Sequence, residues 1–352
     1  MRSGIANLPL HGGKCPAWLF KRMRLLAGAI CEFIILEYGH EELLRRLANP
    51  FWFQSFGNVL GFDWHSSGLT TTVCGALKEA ANRTNLGLAV AGGKGKVSRR
   101  APQEIVQKAD ELGIGAKAHE LQRASRLAAK VDNSCVQDGY QLYHHIFIFT
   151  EKGDWAVIQQ GMNNNWARRY HWLSEGLVDF VCEPHSGIAG QRREEKVLDL
   201  TARQSKDAQK VILDIARDGT LLRSGQCTLK EFELNMPRAH TIPNAQRINR
   251  ALLQKVYEYQ PSDFEELLMI SGVGPATIRA LALTANLIYG APLSWRDPIK
   301  YSFAHGGKDG TPFPVNKKIY DYTILTLQEA IKQAKVGEKE KSYALKRLSK
   351  IF

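Results

Sequence analysis

Residues 25–36 are almost continuously apolar, and Leu26, Ile30, Phe33 and Ile34 recur at the spacing of one helical face. That pattern predicts a buried helix. Lys21-Arg22-Met23-Arg24 ahead of it imitates a signal peptide, but the run starts deep in the chain, contains Glu32 and is followed by no small-residue cleavage site. It is also shorter than the ~20 residues a bilayer requires. Residues 1–85 read as helices joined by short loops, interrupted at Pro50 and Phe51-Trp52-Phe53, aromatics read as core rather than as a base-stacking platform. Small and hydroxyl residues over 61–68 mark the start of a helix over 69–81. Residues 86–91 form an apolar run bounded by glycines, read as a buried strand that feeds a loop over 92–100. Pro102 then opens a helix to about residue 112, and another covers about 119–131.

From Tyr140 the period changes. Residues 140–149 and 155–160 are rich in aromatic and branched side chains around the turn Lys152-Gly153-Asp154, which predicts a β-hairpin. Residues 177–182 are a third strand, and 194–215 read as polar helices. The stretch 217–243 is the least regular and is taken as a linker between a mixed domain, 1–216, and a helical domain, 244–352, whose tail over 322–350 is basic and helical. The fold class is therefore α+β: a mixed N-terminal domain with a small sheet, then an all-α C-terminal module.

Composition narrows the partner. The chain has 352 residues, with 47 Lys and Arg against 35 Asp and Glu, a formal net charge of +12. A balance that basic favours a polyanion, nucleic acid or an anionic surface. Cys15, Cys31, Cys74, Cys135, Cys182 and Cys227 are scattered with no C-x-x-C pair, which excludes a zinc ribbon and a clustered iron–sulfur site. With no stretch near 18 apolar residues, the chain reads as soluble and cytoplasmic, with no membrane partner.

The most specific signal lies at 261–290. Ser262 and Glu265 have capping-box spacing ahead of Phe264, Leu267, Leu268 and Ile270. Ile270-Ser271-Gly272-Val273-Gly274-Pro275 is a tight turn, Pro275 opens the next helix and Gly290 closes it. These residues resemble the helix-hairpin-helix DNA-binding module. Gly272, Val273 and Gly274 would let the backbone approach a phosphate, free amides of the second helix would face the anion, and Arg279 would add a cation one turn in. Ile278 departs from the small residue usual in such modules. Recognition of this kind reads no base. The preceding helix, Asn244 to Tyr259, supports the module.

Two further sets carry chemistry. The loop 92–100 has the strand–loop–helix setting of a phosphate cradle and holds Lys94, Lys96, Arg99 and Arg100, although it matches neither a P-loop nor G-x-G-x-x-G. Around the hairpin lie Lys130-Val131-Asp132-Asn133, Asp138, Tyr143-His144-His145, Gln159-Gln160, Arg168-Arg169-Tyr170-His171 and Glu183-Pro184-His185. Such a set suits a divalent cation, Mg²⁺ or Mn²⁺, and a phosphodiester. Asp138 is the best metal ligand and Glu183 a second, Lys130 the cation for developing phosphate charge, and His144 or His171 the general acid or base. Arg168 and Arg169 join the phosphate-binding set. His65 and Ser66 could contribute from a helix start. The templates of restriction-type and HNH nucleases, serine hydrolases and zincins are not met.

Leu8-Pro9-Leu10-His11-Gly12-Gly13-Lys14, Pro50-Phe51-Trp52-Phe53-Gln54, Phe62-Asp63-Trp64-His65-Ser66-Ser67-Gly68 and Gly92-Gly93-Lys94-Gly95 belong together. So do Ala128-Ala129-Lys130-Val131-Asp132-Asn133, Gln137-Asp138-Gly139-Tyr140, Gln159-Gln160-Gly161-Met162, Ala167-Arg168-Arg169-Tyr170-His171-Trp172 and Ala304-His305-Gly306-Gly307-Lys308-Asp309-Gly310. With these phrases the chain resembles the archaeal and thermophilic-bacterial family known as domain of unknown function 763 over most of residues 1–345. The resemblance implies a cytoplasmic prokaryotic protein and implies no reaction. The leading expectation is a DNA-binding protein of DNA processing or repair, with a metal-dependent nuclease site. The alternatives are a non-catalytic nucleic-acid-binding protein and an enzyme acting on RNA or nucleotides. DNA is preferred over RNA as partner.

Overall fold

The computed structural model describes residues 15–61, 67–84, 86–163, 166–190, 193–219 and 250–299. The expectations for residues 8–14, for His65 and Ser66, for the linker beyond residue 219, for a helix start at Asn244, for 304–310 and for the tail over 322–350 lie outside the described residues.

A single antiparallel sheet organises the chain. Its strands are β1 (Leu88–Lys94), β3 (Gln141–Thr150), β4 (Trp155–Asn163), β5 (Trp166–Leu173) and β6 (His185–Ala189), in the spatial order β1-β3-β4-β5-β6. A second, two-stranded ladder pairs β2 (Val136–Gln137) with β7 (Leu198–Asp199). Side chains alternate across a strand, so each strand of the large sheet serves two cores. Val90, Ile146, Ile148, Ala156 and Ile158 pack against α1 (Ala17–Tyr38), α2 (His40–Leu47), α3 (Pro50–Leu60) and α4 (Ser67–Ala81). Ala91, Phe147, Phe149, Val157 and Trp172 face the other way. They share a core with α5 (Ala101–Glu111), α6 (Ala118–Ser134), α7 (Lys206–Asp218), α8 (Arg250–Tyr259), α9 (Phe264–Met269) and α10 (Pro275–Tyr289). The architecture is α+β, an antiparallel sheet between two helical layers. Among the described residues no helix is long and apolar enough to cross a membrane.

Local chemistry explains the element ends. Asn49 caps α3, its side chain accepting from the amides of Phe51 and Trp52, with Pro50 at the first turn. The aromatic triplet that seemed to interrupt the pattern is inside this helix, with Trp52, Phe53 and Phe56 buried as core. The α9 cap falls one residue later than the sequence spacing indicates. Asp263 accepts from the Glu266 amide at 2.8 Å, and the Glu266 carboxylate accepts from the Ser262 amide at 2.8 Å, while Glu265 pairs with Arg123 at 2.6 Å. Gly290 closes α10 in the left-handed conformation.

Three expectations are corrected. Residues 177–182 are a loop, and two strands that the pattern did not announce, β5 and β6, complete the sheet. Residues 194–205 are irregular apart from β7 and a short 3₁₀ turn, leaving α7 as the only α-helix of that segment. Gly92 and Gly93 belong to β1, and Gly95–Arg100 is a 3₁₀ turn. Gly92 has φ +94°, and a Cβ there would lie 2.3 Å from the His145 carbonyl oxygen, so the close pairing of β1 with β3 requires glycine.

Candidate functional site

Strand β5 decides where its cations go. Arg168, Tyr170 and Trp172 project to the α6 side of the sheet, Arg169 and His171 to the α1–α4 side. Arg168 is fully buried. It donates to Asp138 at 2.9 Å and to both oxygens of Asp297 at 3.0 and 2.7 Å. Asp138 also accepts from the Tyr170 hydroxyl at 2.7 Å and the Tyr140 amide at 3.0 Å. Burial raises the Asp138 carboxyl above its usual range against the pull of Arg168 and these donors. Burial would lower Arg168, but Asp138 and Asp297 more than offset it. Arg169 is equally buried, held by Gln54 at 3.1 Å and Thr70 at 3.3 Å with its guanidinium over Phe53. Burial pulls it down to about 9.

The two arginines expected on phosphate are thus internal, on opposite faces of the sheet. Asp138, expected as a metal ligand, is committed to Arg168 and Tyr170. Glu183 is remote from it, on a loop with φ +52°, beside Arg203 at 3.3 Å, lining a separate cleft of about 490 Å³. His171 lies beneath α2, with Nδ1 donating to the Leu47 carbonyl at 3.0 Å. Burial first, then Arg169, holds it well below the normal imidazole range. Among the described residues no group of three or more His, Cys, Asp or Glu is arranged to hold a metal ion.

The remaining candidates meet in one place. A cleft of about 420 Å³ opens between the 3₁₀ turn, α6 and the start of β3, with Met269 of α9 in its wall. Its rim carries Arg99, Arg126 and Lys130, and no acidic side chain lines it among the described residues. Lys94 and Lys96 extend the cationic surface along the turn, Lys94 with its ammonium 5.9 Å from the Tyr143 ring centroid. The glycines of this turn do not offer a free cradle at Gly92, whose amide donates to Glu104 at 2.9 Å. That carboxylate is itself paired with Lys78 at 2.6 Å. The phosphate-binding potential of the segment therefore lies in its side chains.

The floor of the cleft is a polar chain. Ser125 Oγ meets His145 Nε2 at 2.8 Å, His145 Nδ1 meets Gln159 Oε1 at 2.9 Å, and Gln159 Nε2 donates to Asp132 at 2.5 Å and to the Ala128 carbonyl at 3.1 Å. Asp132 further accepts from Trp172 Nε1 at 3.0 Å and lies 2.5 Å from His185 Nε2. His144, in register with Lys94 and Gln160, falls on the Ile146–Ile158 face, across the sheet from this chain; it is 2% exposed and neither ring nitrogen has a partner among the described residues. Burial, then His145 and Lys94, push its imidazole down to about 3, so at neutral pH it is an uncharged donor and acceptor and no general acid. Burial also lowers His145, against the bond to Gln159.

The glycine hairpin is fastened to α6 and to β2, which follows it. Lys130 Nζ donates to the Val273 carbonyl at 2.6 Å and Gln137 Nε2 to the Pro275 carbonyl at 3.0 Å, while Arg279 donates to Gln137. Arg279 therefore points into the docking contact, half-buried, and burial lowers it. Burial likewise lowers Lys130. Gly272 has φ +100° and an added Cβ would lie 2.9 Å from Leu252. Nothing lies within 4 Å of the Cβ position of Gly274, and the α10 N-terminus that follows has no side-chain cap.

A family model described as protein of unknown function, DUF763, matches residues 4–315. The chain belongs to that family. No curated protein and no solved structure matches it.

In this DUF763 protein, then, the structure gathers Arg99 and Lys130 at one cleft with Lys94, Lys96 and the 272–274 turn around it, and it separates Asp138, His144, His171, Glu183, Arg168 and Arg169 from the polar chain at its floor. Reading single residues missed Ser125 and Arg126, and it placed His145 and Gln159 in the hairpin set without giving either a role. The signal for Arg126 was its four-residue spacing to Lys130, which puts both on one helical face. For His145 and Gln159 it was strand alternation: both occupy the Phe147–Val157 face, which covers α6.

Proposed function

We propose that this protein binds nucleic acid through its phosphate backbone, DNA ahead of RNA, with the cleft beside α6 and the α9–α10 hairpin as one surface. The observation that carries the reading is a concave wall holding Arg99, Arg126 and Lys130 with no carboxylate among the described residues. A polyanion is the ligand that such a wall favours electrostatically. The hairpin adds an uncapped helix N-terminus behind Gly272-Val273-Gly274, the helix-hairpin-helix arrangement, where free amides complement an anion without reading a base. A role in DNA processing or repair agrees with this sequence-independent mode.

The test is fluorescence anisotropy with labelled single-stranded, duplex and branched DNA and RNA, with and without Mg²⁺ or Mn²⁺, over about 50–200 mM salt. Binding should weaken steeply with salt. Combined Arg99→Ala, Arg126→Ala and Lys130→Ala should weaken it for every sequence, and each lost phosphate contact should reduce the salt slope by about one. Affinity that does not respond to salt, or that survives the triple substitution in a folded protein, removes the reading.

A further inference from the structure

The polar chain at the cleft floor has a direction. Gln159 Nε2 faces two acceptors, the Asp132 carboxylate and the Ala128 carbonyl, which fixes its amide orientation and leaves Oε1 toward His145. His145 Nδ1 must therefore carry the ring proton. In the neutral imidazole Nε2 is then a bare lone pair, and Ser125 Oγ, 2.8 Å away, donates its proton to it. A serine inside a helix ordinarily turns its hydroxyl back to the carbonyl four residues earlier. Ser125 instead meets an imidazole from the sheet. The arrangement has a hydroxyl bonded to a base, the base oriented by a third group, and that group anchored on a buried carboxylate, the geometry that activates a nucleophile.

Its surroundings add a second, independent observation. Ser125 and His145 line the same cleft as Arg99, Arg126 and Lys130. The cationic wall gives the class of electrophile.

We propose that Ser125 is a nucleophile toward phosphate esters, with His145 as its base and Gln159 and Asp132 as positioning residues. For its substrate class this rests on the phosphate-binding reading above. Ser125 Oγ forms a bond to phosphorus as the bond from phosphorus to the leaving oxygen breaks. The hydroxyl proton passes to His145 Nε2 and from there to the leaving oxygen. Water then attacks the phosphoserine ester, giving its proton to Nε2, which returns it to Ser125. Lys130, Arg126 and Arg99 offset charge on the phosphoryl oxygens.

A fluorophosphonate tests the nucleophile without knowledge of the natural substrate. Its phosphorus bonds to Ser125 Oγ, fluoride leaves and the proton goes to His145. Mass spectrometry of the folded protein should find the adduct on the peptide containing Ser125, and Ser125→Ala should abolish it. His145→Gln should slow labelling by about 10²-fold or more while the circular dichroism spectrum is kept. Gln159→Met, which removes the acceptor that sets the tautomer, should slow it as well without loss of fold. A folded wild-type protein unmodified at Ser125, or equal labelling rates in wild type and His145→Gln, overturns the proposal. A saturating oligonucleotide should protect Ser125. Labelling unaffected by bound oligonucleotide overturns the phosphodiester as substrate. Failure to bind nucleic acid is read separately by anisotropy, so labelling that persists in a protein that binds none strikes the binding reading and not the nucleophile.

Discussion

Two histidines held neutral inside the protein make its stability depend on pH in a defined direction. Burial, with His145 and Lys94 nearby, lowers His144 to about 3. Burial, with Arg169 nearby, holds His171 well below its normal range, opposed by its bond to Leu47. In the unfolded chain both titrate near about 6.5. A depressed folded value means that the unfolded state takes up protons first, so stability is full above about pH 6.5 and is lost as pH falls toward the folded values. At pH 5 the unfolded chain gains RT ln(1 + 10^1.5), or about 2 kcal/mol, from each histidine that stays neutral in the fold. His144 therefore removes about 2 kcal/mol between about pH 7.5 and 5, a sizeable share of the 5–15 kcal/mol typical of a domain, and His171 acts in the same direction. His145, also lowered by burial, adds in the same direction. Urea unfolding at the two pH values, with slopes compared to confirm the same transition, measures the loss. His144→Gln should flatten the pH dependence by about 2 kcal/mol and His171→Gln should flatten it further, whatever they do to stability at pH 7.5. A wild-type loss below about 1 kcal/mol would show that both imidazoles charge in the folded state, and the enclosed placement of the two rings would be refuted.

Two substitutions test the packing directly. Asp138→Asn removes one carboxylate from the fully buried Arg168–Asp138–Asp297 group and should cost about 3–5 kcal/mol in urea unfolding, with no dependence on added Mn²⁺; a mild effect accompanied by loss of Mn²⁺ stabilisation would instead make Asp138 a ligand. Gly57→Ala places a Cβ 2.7–2.8 Å from three carbons of Leu69 across the α3–α4 contact. It should destabilise by about 1–3 kcal/mol, and adding Leu69→Ala should leave a smaller loss than the two single effects summed, whereas plain additivity would deny the contact.

The elements with clean periodicity were legible in the sequence. The α1 face of Leu26, Ile30 and Ile34, the β3–β4 hairpin and the Pro275-to-Gly290 helix follow from patterns that burial alone enforces. Strand β5 was not legible, because Ala167-Arg168-Arg169-Tyr170-His171 places polar groups on both faces of a fully covered sheet, so no polar–apolar alternation survives. The site was half legible for the same reason. Clustering in sequence collected the right chemistry around the hairpin, but adjacency along a strand sends neighbours to opposite sides. Arg168 and Arg169 look like one phosphate clamp and are separated by the thickness of the sheet. Asp138 looked like a metal ligand because the cation and hydroxyl that satisfy it come from β5, a strand no local pattern revealed.

What distinguishes a structural polar group from a functional one here is open valence rather than residue type. Arg168 shares donors with two carboxylates, Asp138 accepts three bonds, and Asp132 accepts from Gln159 and Trp172 beside His185; all are enclosed. Such networks specify one arrangement of the core and leave nothing for a ligand. At the cleft the accounting is different. The Ser125 oxygen, at the edge of the cavity, retains lone pairs while its hydroxyl donates to His145. Arg99, Arg126 and Lys130 set the sign of the field at its mouth, so this open oxygen faces positive charge between α6 and the start of β3, whereas the enclosed groups face only one another.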